Sequence, residues 1–310
     1  MESKKKLLVT GAAGALAKKV IDKLKIHHKI VAVDFRQKVD LGIPVETYKV
    51  DFNKRIFEDI FREHQFEGII HLGRISAHEM NRFSRYNANV MGTRKLFDLA
   101  LKYNVPKVLV LSSYFVYGAS PYNPSLLDES TPLKASELTM DLVDSVELEN
   151  LSNIYLYKYP QLNITILRPC NIAGPGVRNT FSLLLSEKRA PVLWGFSPLM
   201  QFIHIDDMRD AIELAFEKNK PGVYNVAPAD YIAFQDAVKA AGCKTIQIPS
   251  VPPQLTESIA RFLKWKTFPP YLINYFKYPV ILDGSSFDKT FGFKPKKTLS
   301  DIFNYYKSLK

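Results

Sequence analysis

The chain has 310 residues, 46% hydrophobic and 24% charged, with a formal net charge of +11. These are ordinary globular proportions and exclude a disordered or fibrous protein, and a chain this long buries enough apolar surface to fold without disulfides or metal. Two cysteines, Cys170 and Cys243, make no disulfide framework and no zinc spacing, which points to a reducing compartment and no bound metal. The lysine-rich start leads into only a short apolar run, unlike a signal peptide. The longest uncharged stretch, Val108 to Leu127, contains Gly118, Pro121 and Pro124 and cannot form a spanning helix. The chain therefore reads as a soluble cytoplasmic protein. Its charge is uneven: residues 1–50 carry 11 basic and 5 acidic side chains, residues 261–310 carry 10 and 3, and the middle is near balance. Such ends attract anions, but no RNA-recognition pattern accompanies them, so nucleic acid is not an expected partner.

In chain order, short apolar runs alternate with segments of helical period. The runs are Leu7–Val9, Ile30–Val33, Val45–Val50, Gly68–Leu72, Val108–Leu111 and Ile164–Leu167. Helical stretches are expected near 14–25, 54–64, 79–103 and 136–158. This alternation is the signature of βαβ units, and right-handed crossovers then give a doubly wound parallel sheet of Rossmann type. After Pro169 the pattern is mixed, with elements expected near 181–187, 207–218, 232–241 and 298–309. The expected division is a dinucleotide-binding domain over 1–170 and a smaller mixed α/β substrate-binding region over 171–310, interleaved with it.

The first strand runs into Thr10-Gly11-Ala12-Ala13-Gly14-Ala15-Leu16-Ala17 and then a helix. Glycines at such a turn let the backbone approach a pyrophosphate, which rests on the amides of the helix N-terminus. Asp34 stands twenty residues past Gly14, at the end of the second strand. A carboxylate there accepts hydrogen bonds from the adenosine ribose and repels a 2′-phosphate, favouring NAD over NADP. Arg36, two residues on, is placed to receive a 2′-phosphate and argues the other way.

Further motifs follow in order: Val50-Asp51-Phe52; His71-Leu72-Gly73; Asn89-Val90-Met91-Gly92-Thr93; Ser112-Ser113 with Val116-Tyr117-Gly118; Arg168-Pro169-Cys170-Asn171 with Gly174-Pro175-Gly176; Phe202-Ile203-His204-Ile205-Asp206-Asp207; and Gly222-Val223-Tyr224-Asn225-Val226. In this series the chain resembles the extended short-chain dehydrogenase/reductases, the group of UDP-galactose epimerases and sugar-nucleotide dehydratases, over about residues 6–305. The resemblance implies that Gly11, Gly14, Ala15 and Leu16 cradle the pyrophosphate of NAD and that Asp34 holds the ribose. It implies that Asp51 and Phe52 flank the adenine, that Leu72, Gly73 and Asn89 line the middle of the site, and that Pro169 and Cys170 lie near the nicotinamide. Arg74 replaces the family's usual alanine, as a phosphate contact or a surface residue. A homodimer through the helices at 79–103 and 136–158 is also implied.

The same resemblance makes Ser113 the residue that orients the substrate and calls for a Tyr-x-x-x-Lys pair about 25 residues later. The chemistry needs both members, because the ammonium lowers the tyrosine pKa. Between Tyr122 and Tyr155 there is no tyrosine, and the only lysine is Lys134. Counting back from Arg168 puts Asp141 and Ser145 in the two places; counting forward from Ser113 puts Leu138 and Leu142 there. Tyr103/Lys107 and Tyr306/Lys310 match the spacing, but at a helix end and the C-terminus. Tyr114, Tyr117 and Asp141 are the candidate bases, with solvated helix charge the alternative for the acidic segment. On the substrate side Asn171 is in place, whereas the arginine that grips a sugar-nucleotide phosphate is Gln201, with Arg178 as a substitute.

Two functions follow. The first is an atypical oxidoreductase or epimerase acting with NAD on a sugar nucleotide or another small or apolar hydroxyl-bearing substrate. The alternative is a non-catalytic NAD(P)-binding regulator or interaction protein. Residues 257–278 mix lysines with Trp265, Phe268, Tyr271, Tyr275, Phe276 and Tyr278, a composition suited to peripheral membrane contact or to a lid packed on the core.

Overall fold

The computed structural model describes residues 6–35, 39–40, 42, 44–75, 81–249 and 270–310. Arg36 and the stretch 257–269 of the aromatic segment lie outside them. Six strands, β1 (Lys6–Thr10), β2 (Lys29–Asp34), β3 (Glu46–Lys49), β4 (Phe66–His71), β5 (Val108–Leu111) and β6 (Ile164–Pro169), fall on the expected apolar runs. They pair in parallel in the order β6-β5-β4-β1-β2-β3. The chain thus winds from β1 outward through β2 and β3, then returns to the other side of β1 with β4. The strand order reverses between β1 and β4, and ligands of doubly wound sheets bind at that switch point, beyond the carboxyl ends of the strands.

Alternation along β1 shows why the sheet is buried on both faces. Leu7 and Val9 face one apolar cluster with Val20 and Ile21 of α1 (Ala15–Leu24). Leu8 faces the other, with Phe57 and Phe61 of α2 (Arg55–Glu63) and Phe97 on a later helix. All three β1 residues are fully buried, each burial contributing about 1.5–3 kcal/mol.

The expected helix over 79–103 is continuous over residues 82–102 but changes pitch along its length. Among the described residues it comprises α3 (Arg82–Tyr86), a five-residue π segment (Asn87–Met91) and α4 (Gly92–Lys102). The helix expected over 136–158 opens with a single turn, α5 (Ala135–Leu138), and a 3₁₀ turn at Met140–Leu142, and becomes α6 only at Val143–Lys158. Phe83, Ile154 and Tyr157 are exposed on these helices.

Beyond β6 the described residues add three two-stranded pairs: β7 (Asn171–Ala173) with β10 (Phe202–His204), β8 (Arg189–Leu193) with β13 (Lys244–Ile248), and β9 (Leu199–Met200) with β12 (Ile232–Ala233). Its α-helices among the described residues are α7 (Thr180–Ser186), α8 (Ile205–Lys218), α9 (Phe234–Ala240), α10 (Ser285–Phe291) and α11 (Leu299–Ser308). The strand β11 (Gly222–Val226) returns to pair with β6 as the seventh strand of the main sheet. Leu272, Ile273, Tyr275 and Phe276 are buried in the core, and Tyr275 donates its hydroxyl to the Phe115 carbonyl at 2.6 Å. No helix among the described residues is long and apolar enough to cross a membrane.

Candidate nucleotide site

β1 delivers the chain to Gly11, whose φ of +67° suits glycine. A Cβ at Gly11 would lie 2.5 Å from the Gly73 Cα, so the turn after β1 and the loop after β4 touch backbone to backbone. Gly14 caps α1 with no side chain, leaving the first-turn amides around Ala15 and Leu16 without a side-chain acceptor. With the positive end of the helix dipole they form a cradle for an anion. Asp34 ends β2, is 8% exposed and accepts the Ala13 N–H at 3.2 Å, which aims its carboxylate along the turn. Asp51 accepts the Asn53 N–H at 2.9 Å, while Phe52 is buried and stacks on Phe57 with ring centres 4.3 Å apart. A helix N-terminus without a capping side chain, with a carboxylate at the end of the next strand, fits a dinucleotide.

At the end of β4 a buried relay fixes the middle of the site. His71 lies between the hydroxyls of Thr10 (2.7 Å) and Thr93 (2.9 Å), and Thr93 donates to the Asn89 carbonyl. Burial pulls the His71 pKa down to about 4, so the ring is neutral. Leu72, Gly73, Arg74 and Ile75 continue from it, all partly exposed. The Asn89 side chain clamps that loop, accepting the Ile75 N–H and donating to the Ile75 carbonyl, each at 2.8 Å.

Ser113, two residues beyond β5, caps a 3₁₀ turn, Tyr114–Tyr117, accepting the Phe115 N–H at 3.3 Å. The neighbouring Ser112 hydroxyl is buried with no hydrogen-bond partner in the structure. Pro169 and Cys170 end β6; burial pushes the Cys170 thiol far above its ordinary value.

The candidate bases are engaged elsewhere. Tyr114 donates to Asn171 at 2.6 Å, and burial raises its pKa well above the usual value. Tyr117 donates to Asn225 (2.7 Å), accepts from Arg168 (2.7 Å) and is pushed up to about 12, again chiefly by burial. Asp141 binds Arg82 through both oxygens, at 2.9 and 3.3 Å. Ser145 is buried, and beside it Asp144 accepts from Asn89 at 2.5 Å and pairs with Arg85 at 3.3 Å.

The substrate side is similarly committed. Asn171 also donates an amide proton to the Gln201 carbonyl at 2.9 Å. Gln201 is 2% exposed, its side chain bonded to the backbone of Pro228 and Leu282. Arg178 is exposed on a loop that reaches the glycine-rich turn, since a Cβ on Gly176 would stand 3.3 Å from the Ala15 Cβ. Tyr306 and Lys310 have structural partners: the tyrosine bonds Ser182 and the Gly174 N–H, and the lysine donates to the carbonyls of Leu185 and Ala241. Sequence reasoning gave no role to His71, Thr93, Arg85 or Asp144. The spacing of Arg82, Arg85 and Asn89 at i, i+3 and i+7, opposite Asp141 and Asp144 at i and i+3, is the signal that could have found the last two.

The sequence profile of the NAD dependent epimerase/dehydratase family matches residues 7–227. An uncharacterised protein of Mycobacterium tuberculosis is 24% identical over 312 residues, covering 97% of this chain and 83% of its own length. A dTDP-D-glucose 4,6-dehydratase of Dictyostelium discoideum is 25% identical over 276 residues, 76% of this chain and 61% of that one. Among solved structures, the NAD complex of dTDP-glucose 4,6-dehydratase from Bacillus anthracis superposes with a TM-score of 0.76 at 18% identity, covering 98% of this chain and 97% of that one. UDP-glucose 4-epimerase from Bifidobacterium longum, solved with NAD⁺ and UDP, gives 0.75 at 19% identity, covering 98% of each. These likenesses establish the Rossmann-type fold.

Proposed function

This chain belongs to the NAD-dependent epimerase/dehydratase family, and we propose that it holds NAD without the family's Tyr/Lys proton transfer, as a regulatory or interaction protein. One observation carries the reading. At the N-terminal end of α6, where the pair belongs, the polar side chains are engaged with one another: Asp141 hydrogen-bonds Arg82, and Asp144 accepts from Asn89 and forms an ion pair with Arg85 at 3.3 Å. The other two candidate bases are buried hydroxyls that stay protonated near neutrality. On the nucleotide side the turn at Gly11–Leu16 receives the pyrophosphate, Asp34 the adenosine ribose, and the Leu72–Ile75 loop lies beside the ribose of the other half. Bound NAD would supply a hydride acceptor; Tyr114, Tyr117 and Asp141, the candidate bases, are each engaged by other groups of the protein.

Ser113 favours a second reading, an atypical oxidoreductase or epimerase acting on a small hydroxyl-bearing substrate. Its hydroxyl accepts the Phe115 N–H, and its hydrogen is free to polarise a substrate oxygen. Incubation with NAD⁺ or NADH and a panel of UDP-hexoses, dTDP-hexoses and apolar secondary alcohols separates the two. Following 340 nm absorbance and product composition, we expect binding of NAD with no turnover. Product formation that disappears in Ser113→Ala would establish the second reading instead.

A further inference from the structure

Asn89 clamps the loop after β4 only if its amide faces one way, with oxygen toward the Ile75 N–H and nitrogen toward the Ile75 carbonyl. A flipped amide would set donor against donor and acceptor against acceptor. The second amide proton decides the orientation, because it goes to Asp144 Oδ2 at 2.5 Å, and a carboxylate accepts only. Asp144 is 4% exposed, and a buried carboxylate needs a counter-charge. Arg85, 3% exposed, provides it: its Nε lies 3.3 Å from Asp144 Oδ1, and its Nη2 donates to the Asp141 carbonyl at 3.0 Å. A charged pair on α3 and α6 therefore fixes one amide, and that amide fixes residue 75.

The loop so held belongs to one half of the nucleotide site. Asp34 ends β2, on the outward side of β1, whereas Leu72–Ile75 leaves β4, across the switch point. A dinucleotide lying across the strand ends, with adenosine at Asp34, puts its nicotinamide half over β4 and β5. We propose that Asp144, neutralised by Arg85, is a positioning residue for the nicotinamide half of NAD, acting through Asn89 on the Leu72–Ile75 loop. The proposal rests on the reading of the glycine-rich turn as the NAD site.

The test compares AMP, which samples only the adenosine half, with NADH, whose fluorescence reports the bound nicotinamide. In Asp144→Ala we expect NADH affinity to fall at least tenfold and its emission enhancement to be lost, with AMP affinity within twofold of the parent. The double variant Asp144→Ala/Arg85→Met, which leaves no unpaired buried charge, should show the same split and covers a failure of the single variant to fold. Variants that bind NADH like the parent, or that lose AMP and NADH in equal measure, overturn the positioning role and leave the NAD site standing. A parent protein that binds neither probe overturns both.

Discussion

His71 has no exposed surface to speak of, no charged partner and a hydroxyl on each ring nitrogen, so the folded protein holds it neutral. Its pKa falls from 6.5 to about 4, with burial as the cause. The unfolded chain takes up the proton first as pH drops, so the contribution of His71 is complete above pH 6.5 and is lost on descent toward pH 4. Between pH 7 and pH 5 the loss amounts to about 2 kcal/mol. Urea unfolding at the two pH values should show that the fall in stability is smaller by about this amount in His71→Gln than in the parent. Equal falls would mean that the ring titrates normally. His71 was visible as part of His71-Leu72-Gly73, but its role was not, since Thr10 and Thr93 approach it from 61 and 22 residues away. The turn at Gly11 and the place of Asp34 at the end of β2 were legible because a tight turn, a strand-end carboxylate and their spacing are local constraints. The bonds of Tyr117 were not, because they close only when β6, β11 and residue 128 come together, nor were those of Gln201, whose partners Pro228 and Leu282 lie 27 and 81 residues away.

Elements were legible wherever one period dominated. The first six strands of the main sheet and the helices α1, α2 and α8 lie within a few residues of their expected limits. The helix start at 136 was not, because residues 135–142 have helical spacing but break at Thr139, whose side chain accepts the Asp141 N–H and caps a separate 3₁₀ turn. α6 is tied to the sheet by a buried ion pair that periodicity does not disclose. Arg168 of β6 reaches Glu149 of α6 at 2.9–3.0 Å, with side chains 4% and 0% exposed. The guanidinium also bonds Tyr117 and the Glu129 carbonyl, so one residue joins β6, α6 and the turn after β5. Arg168→Met would leave the Glu149 carboxylate buried and unpaired, at a cost of about 3–5 kcal/mol. Arg168→Met/Glu149→Leu removes both charges and should recover most of that loss in chemical denaturation. A double variant as unstable as the single one would locate the cost in packing around Tyr117 rather than in charge.

At the scale of the molecule, the proposed nucleotide site gathers Gly11–Leu16, Asp34, Asp51–Phe52, Leu72–Ile75, Ser113 and Pro169–Cys170, which meet only when β1 through β6 stand side by side. A ligand spanning them binds the native sheet and not the unfolded chain, so occupancy must raise stability. At one hundred times its dissociation constant NAD should add about 2.7 kcal/mol, which for a chain of 310 residues is a rise in Tm of about 4 °C. In the proposed site, Asp34 is the residue that decides between the two dinucleotides. Its carboxylate is buried and held by the Ala13 N–H, and it cannot swing away from a 2′-phosphate without giving up that bond. NADP should therefore shift Tm much less than NAD at equal concentration. Asp34→Asn keeps an acceptor for Ala13 and removes the repulsion, so the NAD shift should shrink while the NADP shift grows. Equal shifts with both dinucleotides in the parent would show that Asp34 does not face the ribose and that the 2′-position lies elsewhere.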